Sequence, residues 1–285
     1  MTIAITGATG HLGRLAVEAL LDKGAAPAEL VAVVRTPSKA ADLAARGVEV
    51  RQADYGDRDA LEKALAGVDR LLLVSGSEVG QRIAQHTNVI EAAKVAGVGF
   101  VAYTSVLDAQ KSPLALAAEH RATEDVLAAS GIGFALLRNG WYWENYLGSV
   151  STARETGKLF GSAGDGRVAA AARKDYAEAA AAVLLADGQA GKVYELGGDE
   201  RITYAELAQI ISSVVGAPVE YQDLPQPEYA ALIEGAGLPS PVAAMLADSD
   251  AGVAAGALDT DSGDLQKLIG RKSTPAATVL AVSTS

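Results

Sequence analysis

The chain has 285 residues, 49% of them hydrophobic, with 24 basic against 35 acidic side chains and a net charge of −11. That length buries a sizeable core in one large or two modest domains, and the acidic balance argues against nucleic acid and anionic membrane surfaces as partners. The absence of cysteine excludes disulfides, thiol catalysis and thiolate metal sites, and it fits a reducing cytoplasm.

No apolar run is long enough to span a bilayer. A core strand starting at residue 3 leaves no room for a signal peptide. The three histidines, His11, His86 and His120, are too scattered to suggest a metal site.

Ile3-Ala4-Ile5-Thr6 reads as a short buried strand. It runs into Gly7-Ala8-Thr9-Gly10-His11-Leu12-Gly13 and then into a helical pattern of Leu15, Ala16, Ala19 and Leu20. Strand, glycine turn and helix N-terminus present unpaired N–H groups and a positive dipole end to a nucleotide pyrophosphate. The spacing is G-x-x-G-x-x-G rather than G-x-G-x-x-G.

The second strand, Leu30-Val31-Ala32-Val33-Val34, ends at Arg35, where an adenosine ribose would sit. An acid there selects NAD, whereas an Arg pairs with the 2′-phosphate of NADP. Arg35 and Lys39 with no acid before Asp42 point to NADPH. Residues 48–53 alternate as a third strand, followed by Asp54 and Tyr55, expected beside the adenine. Asp54 or Asp57 would equally well cap the helix at 57–66.

Leu71-Leu72-Leu73-Val74 is a strand buried on both faces that ends in Ser75-Gly76-Ser77, small residues beside which a ribose passes. A helix follows at about 80–96. Strand five, Phe100–Tyr103, ends in Thr104-Ser105, and strand six, Phe134–Leu137, ends in Arg138-Asn139-Gly140-Trp141-Tyr142. Strands alternating with helices call for an α/β fold with a Rossmann-type doubly wound parallel sheet, which binds ligands at the strands' carboxyl ends. The singled-out residues all fall there.

Beyond 142 come a Gly-rich segment to 172, an Ala-rich helix from Asp175, a strand at Lys192–Leu196, and a helix opened by a Thr203/Glu206 capping box. Residues 200–285 read as small helices and loops, with Gly235–Pro241 as a hinge or lid and Ser283–Ser285 frayed. The expected division is 1–142 with a return segment 173–198 as the dinucleotide domain, and 143–172 with 199–285 as a smaller substrate lobe.

The Gly7–Gly13 loop, Val34-Arg35, Gln52–Gly56, Ser77–Gln81, Ala102–Ser105 and Leu137–Tyr142 resemble the NmrA-like branch of the atypical short-chain dehydrogenase/reductases. The likeness continues through Ala163–Gly166, Lys192–Glu195, Met245–Asp250 and Lys267–Gly270. It implies NADPH-dependent reduction of quinones in the cytoplasm, with Gly7–Leu12, Arg35, Ser75–Ser77 and Asn139–Asn145 (Glu144 among them) lining the cofactor.

The wider superfamily uses a Tyr-x-x-x-Lys pair with many members carrying a Glu four residues later. With Glu124 as the counterpart of that Glu, His120 stands at the Lys position and Leu116 at the Tyr position. The dyad is absent, which disfavours epimerase or alcohol dehydrogenase chemistry. A quinone is an electrophile whose reduced form is a stabilised phenolate, so orientation and a dry pocket suffice.

His120 is the candidate polar helper, donating to a quinone oxygen; the alternative is a solvated helix residue between Glu119 and Arg121. Tyr142, with Trp141 and Trp143, walls the nicotinamide or a flat substrate, or else fills a seam between lobes. Asn139 and Asn145 hold a carboxamide or substrate oxygen, or serve as turn residues. Thr104 and Ser105 bond a carbonyl or end the strand. Arg173 reaches in from the second lobe or pairs with Asp175 at the surface. Two rival functions remain at this stage: an NmrA-type redox sensor that binds dinucleotide without turnover, and a reductase of another flat electrophile such as a cationic dye. An acidic, Ala-rich surface suits a monomer or a homodimer.

Arg35→Glu tests the cofactor assignment. It should abolish the preference for NADPH, with a loss on the order of 2–5 kcal/mol by analogy with truncated charge pairs, measured as the ratio of NADPH to NADH affinity.

Overall fold

The computed structural model describes residues 1–78 and 80–281; Ser283–Ser285, expected to fray, lie outside the described residues. In chain order the elements are β1 (Ile3–Thr6), α1 (His11–Asp22), β2 (Leu30–Val34), α2 (Ala41–Ala45), β3 (Glu49–Gln52), α3 (Arg58–Ala64), β4 (Arg70–Leu73), α4 (Arg82–Val95), β5 (Phe100–Val106), α5 (Ala117–Ala129) and β6 (Gly133–Asn139). Then come α6 (Leu147–Thr156), β7 (Lys158–Gly161), β8 (Arg167–Val168), α7 (Arg173–Leu185), β9 (Val193–Leu196), β10 (Ile202–Thr203), α8 (Tyr204–Val215), β11 (Glu220–Asp223), α9 (Gln226–Gly235), α10 (Ser240–Ala254), α11 (Asp264–Ile269) and α12 (Ala276–Leu280).

Seven strands form one sheet in the order β3-β2-β1-β4-β5-β6-β9. Ile3 pairs with both Leu30 and Arg70, and every pairing from β3 to β6 is parallel. β1 and β2 are buried along their whole length, as strands covered on both faces must be. The chain leaves β1 for β2 on one side and later returns to β4 on the other. The carboxyl ends of β1, β2 and β4 therefore meet at a switch point.

The chain divides into two compact units. The first holds residues 1–109, 118–139 and 173–194; the second holds 110–117, 140–172 and 195–285. The expected boundary at 142 thus falls at 139, and residues 110–117 group with the second unit. In the first unit α7 packs on α1, with Ala16 and Ala19 of α1 and Ala177 and Ala180 of α7 all buried. Small side chains let two helices approach closely.

The second unit holds strands that its pattern does not announce: β7 pairs with β11 in parallel, and β8 with β10 antiparallel. The Thr203/Glu206 capping box forms as expected. Tyr146, Tyr204 and Tyr221 stack edge to face at 5.7 and 5.5 Å. Asp250 accepts from the Tyr204 hydroxyl at 2.5 Å and from the Ser162 N–H at 2.9 Å, and burial pushes its carboxyl up to about 6. Gly235–Pro241 joins α9 to α10, which pack against each other as a helical hairpin.

The entry of α1 depends on two glycines. Gly7 has φ +60°, and its carbonyl accepts from the Gly10 N–H at 2.8 Å. A Cβ on Gly13 would stand 2.3 Å from that same carbonyl oxygen. Gly13→Ala must therefore push α1 off the turn. Overpacking against backbone predicts a loss of about 2–3 kcal/mol, read as a fall in melting temperature of roughly 5 °C or more.

Candidate cofactor site

The first turn of α1 is left open by its own side chains. Gly10 is the N-cap, no side chain caps the helix, and no acid lies in the first turn. Side chains cap α3, where Asp57 accepts from the Ala60 N–H, and α8, which Thr203 starts, while α2, α4, α6 and α9 to α12 also begin without one; the glycine turn in front of α1 is what sets its N-terminus apart. An uncapped helix N-terminus after a tight glycine turn suits an anionic ligand. Ala8 is buried and contributes backbone only; Thr9 and Leu12 are half-buried, and Gly10 and His11 are exposed. This cradle fits a dinucleotide pyrophosphate.

Arg35 follows β2, and the Gln52 side-chain amide holds its carbonyl at 3.1 Å. Its guanidinium reaches Glu78 at 3.0 Å, with both side chains at least half exposed. No acid comes near in sequence, but the segment after β4 delivers one. Exposure also moves the loss expected for Arg35→Glu toward the lower end of its range. Asp54 accepts from the Gly56 N–H at 2.7 Å, so it shapes the turn while Asp57 caps the helix. The Tyr55 hydroxyl lies 2.6 Å from Thr6 Oγ1 and 2.7 Å from the Val74 carbonyl. That hydroxyl braces the sheet edge and leaves only the half-buried ring to border a ligand.

The strap that leaves β4 is held at almost every backbone polar group. Val74 N–H donates to Thr6 Oγ1 at 3.1 Å, Ser75 N–H to Thr104 Oγ1 at 2.8 Å, and Gly76 N–H to His86 Nε2 at 3.0 Å. The Gly76 carbonyl accepts from Arg82 Nε at 2.9 Å. Thr104, expected near a substrate carbonyl, is thus a brace for the strap. Ser105 donates to Glu124 Oε1 at 2.6 Å, and Glu124 is gripped by Arg138 through Nε and Nη2 at 3.0 and 2.7 Å, all buried. The Ser105 hydroxyl therefore spends its proton on this ion-pair network.

His120 is not a solvated helix residue: it is 6% exposed, and its Nδ1 lies 2.7 Å from the Tyr103 hydroxyl. Burial, then the nearby Arg82 charge, then His86 press its pKa down to about 3. His86, fully buried, is lowered to about 3 by burial and by Arg82. Its Nε2 accepts from Gly76, so Nδ1 carries the proton and donates to Thr123 Oγ1 at 3.0 Å. Desolvation makes both imidazoles neutral at physiological pH. Sequence reasoning gave no role to Glu78, Arg82, His86 and Tyr103, because the partners that define their roles lie far from them along the chain.

Asn139 closes β6 and is 4% exposed. In the second unit Gly140 N–H donates to the Leu196 carbonyl at 2.7 Å, and Tyr142 bridges to Ala171. Trp141, Tyr142, Glu144 and Asn145 are half-buried, with Asn145 N–H bonded to the Tyr142 carbonyl at 3.0 Å. Trp143 departs from expectation: it is fully buried against Tyr146 at 6.1 Å, so it is core rather than the wall of a slot. Arg173 opens α7 in the first unit, not in a second lobe, and Asp175 is fully buried rather than at the surface.

Comparison with known proteins agrees with this architecture. The profile of the NmrA-like family matches residues 1–261. Quinone oxidoreductase 2 of Escherichia coli is 55% identical over 272 residues, 95% of each chain. The crystal structure of the NADPH-dependent E. coli quinone oxidoreductase complexed with NADPH superposes over 100% of both chains with a TM-score of 0.97 at 53% identity. Triphenylmethane reductase of a Citrobacter species, complexed with NADP(H), gives a TM-score of 0.94 at 38% identity over 99% of this chain and 100% of that one.

The two buried histidines should show opposite tautomers. If Tyr103 donates to Nδ1, His120 carries its proton on Nε2, whereas His86 carries it on Nδ1. With only three histidines in the chain, nitrogen-15 ring spectra read both directly. Neither ring should protonate above about pH 4; a titration near pH 6.5 for either would overturn this geometry.

Proposed function

This chain belongs to the NmrA-like family, and we propose that it works as an NADPH-dependent quinone reductase. One observation carries the reading: an uncapped helix N-terminus behind a close-packed glycine turn shares a sheet edge with Arg35. Its similarity to the E. coli quinone oxidoreductase, 55% over nearly the whole of both chains, supports the substrate class.

When bound, NADPH supplies a hydride from the nicotinamide. Gly7 to Leu12 hold the pyrophosphate with backbone N–H groups. Arg35 takes the 2′-phosphate, and Asp54, Tyr55 and Ser75–Ser77 border the adenosine. Thr104 and Ser105 act behind them as braces. Asn139, Gly140, Trp141, Tyr142, Glu144, Asn145 and Arg173 are assigned to the nicotinamide and substrate end on the resemblance of their motifs, with Tyr142 as the aromatic face for a flat ring.

His120 acts as a neutral hydrogen-bond donor to a quinone oxygen. With its pKa near 3 it polarises the carbonyl and carries no spare proton to give, so the hydroquinone anion takes its proton from water. A stabilised phenolate tolerates that. Among the described residues no helix is long and apolar enough to cross a membrane, and with a cysteine-free chain we place the enzyme in the cytoplasm. Reduction of a cationic dye is a second reading, favoured by the likeness to triphenylmethane reductase.

NADPH oxidation measured with and without a simple benzoquinone should show quinone-dependent turnover, faster than with NADH. The rate of the bound complex should be flat between about pH 5 and 8, because His120, the group assigned to the quinone oxygen, is already neutral throughout that range. Tight NADPH binding without turnover on quinones or dyes would move the reading to a redox sensor.

A further inference from the structure

We propose that Glu78 sets how strongly this chain discriminates NADPH from NADH, by competing with the 2′-phosphate for Arg35. The inference rests on the assignment of Arg35 to the 2′-phosphate above, and it adds a residue that the cofactor does not need for its own recognition.

Glu78 is held toward Arg35 by a framework and not by chance of a mobile surface chain. One oxygen lies 3.0 Å from Arg35 Nη1, and the other accepts from Gln85 Nε2 at 2.8 Å. The segment that carries it is pinned on both sides. Before it, Gly76 is bonded to His86 through its N–H and to Arg82 through its carbonyl. After it, Gly80 N–H donates to Glu119 Oε1 at 2.8 Å, and Glu119 is itself the ion-pair partner of Arg82. On the other side Gln52 holds the backbone carbonyl of Arg35 at 3.1 Å. The carboxylate therefore stands where a ligand anion would have to approach.

The pair is exposed, 68% for Arg35 and 50% for Glu78, so it is weak enough to be exchanged. A 2′-phosphate brings a charge of about −1.5 to −2. It can take Arg35 only by displacing Glu78 or by sitting beside it, and both oppose binding. A ribose 2′-hydroxyl is neutral and meets no such repulsion; a carboxylate is the group that accepts from it in NAD sites. The charge on Glu78 therefore weighs against NADPH alone, and it holds the selectivity below what Arg35 would give unopposed.

The test uses the full chain and two adenosine-end probes that differ only at the 2′ position, adenosine 2′,5′-bisphosphate and adenosine 5′-monophosphate, titrated calorimetrically. Glu78→Gln should bind the bisphosphate about fivefold tighter at low salt, with the monophosphate unchanged within about twofold, since one exposed charge is removed. Glu78→Lys should enlarge the difference. Equal tightening of both probes, or no change for the bisphosphate in either variant, would overturn the role of Glu78 while leaving Arg35 in place. Wild-type protein that binds the two probes equally would overturn the assignment of Arg35, and the proposal with it.

Discussion

The candidate site depends on how closely α1 approaches the turn after β1. The Gly7 carbonyl accepts from Gly10 on one side and touches the α carbon region of Gly13 on the other, where a Cβ would come within 2.3 Å. That contact brings the helix N-terminus to the carboxyl edge of the sheet without any side chain between them. A bulkier residue at position 13 would tilt the helix and turn its free N–H groups away from a ligand. Because β1 lies at the switch point, the same contact places those groups beside the ends of β2 and β4.

Around this edge the protein uses side chains to satisfy backbone groups that strands and helices cannot reach. The strap from Val74 to Gly76 has left the sheet ladder, and its N–H groups are taken by Thr6, Thr104 and His86. Unpaired, such groups would carry a desolvation penalty of about 1–3 kcal/mol each. The arrangement explains why Thr104, His86 and Arg82 are committed to the framework. It also explains why the buried imidazoles stay neutral: an uncharged ring can accept from Gly76 inside the core, whereas a charged one would need a counter-ion there.

Polarity then changes along the edge. At the adenosine end the charges stand in solvent, with Arg35, Glu78 and Asp54 all exposed, so interactions there are exchangeable and salt-dependent. At the end of β5 and β6 the ionic groups are buried as a matched set, Glu124 with Arg138 and Ser105. Removing one partner there would leave a buried charge, so that cluster holds structure. One sheet edge thus separates a region suited to reading a ligand's charge from a region suited to holding geometry.

The sequence by itself determined the strand-turn-helix start, the seven strands of the sheet, the Thr203 cap and the family resemblance. Each of these is written in residues that are neighbours along the chain, as period, glycine spacing or a cap three residues from its target. Only the tertiary structure decided that Glu78 meets Arg35, because β1 stands between β2 and β4 and two strand spacings of about 10 Å separate the ends that long side chains must bridge. It also decided that Trp143 is core while Trp141 and Tyr142 stay half-buried, and that His120 is desolvated beside Tyr103. The four short strands of the second unit were illegible for the same reason, since two to four residues carry no period and their partners lie about 35 to 60 positions away. Distance and desolvation belong to neighbours in space, and strand order and helix packing choose those neighbours.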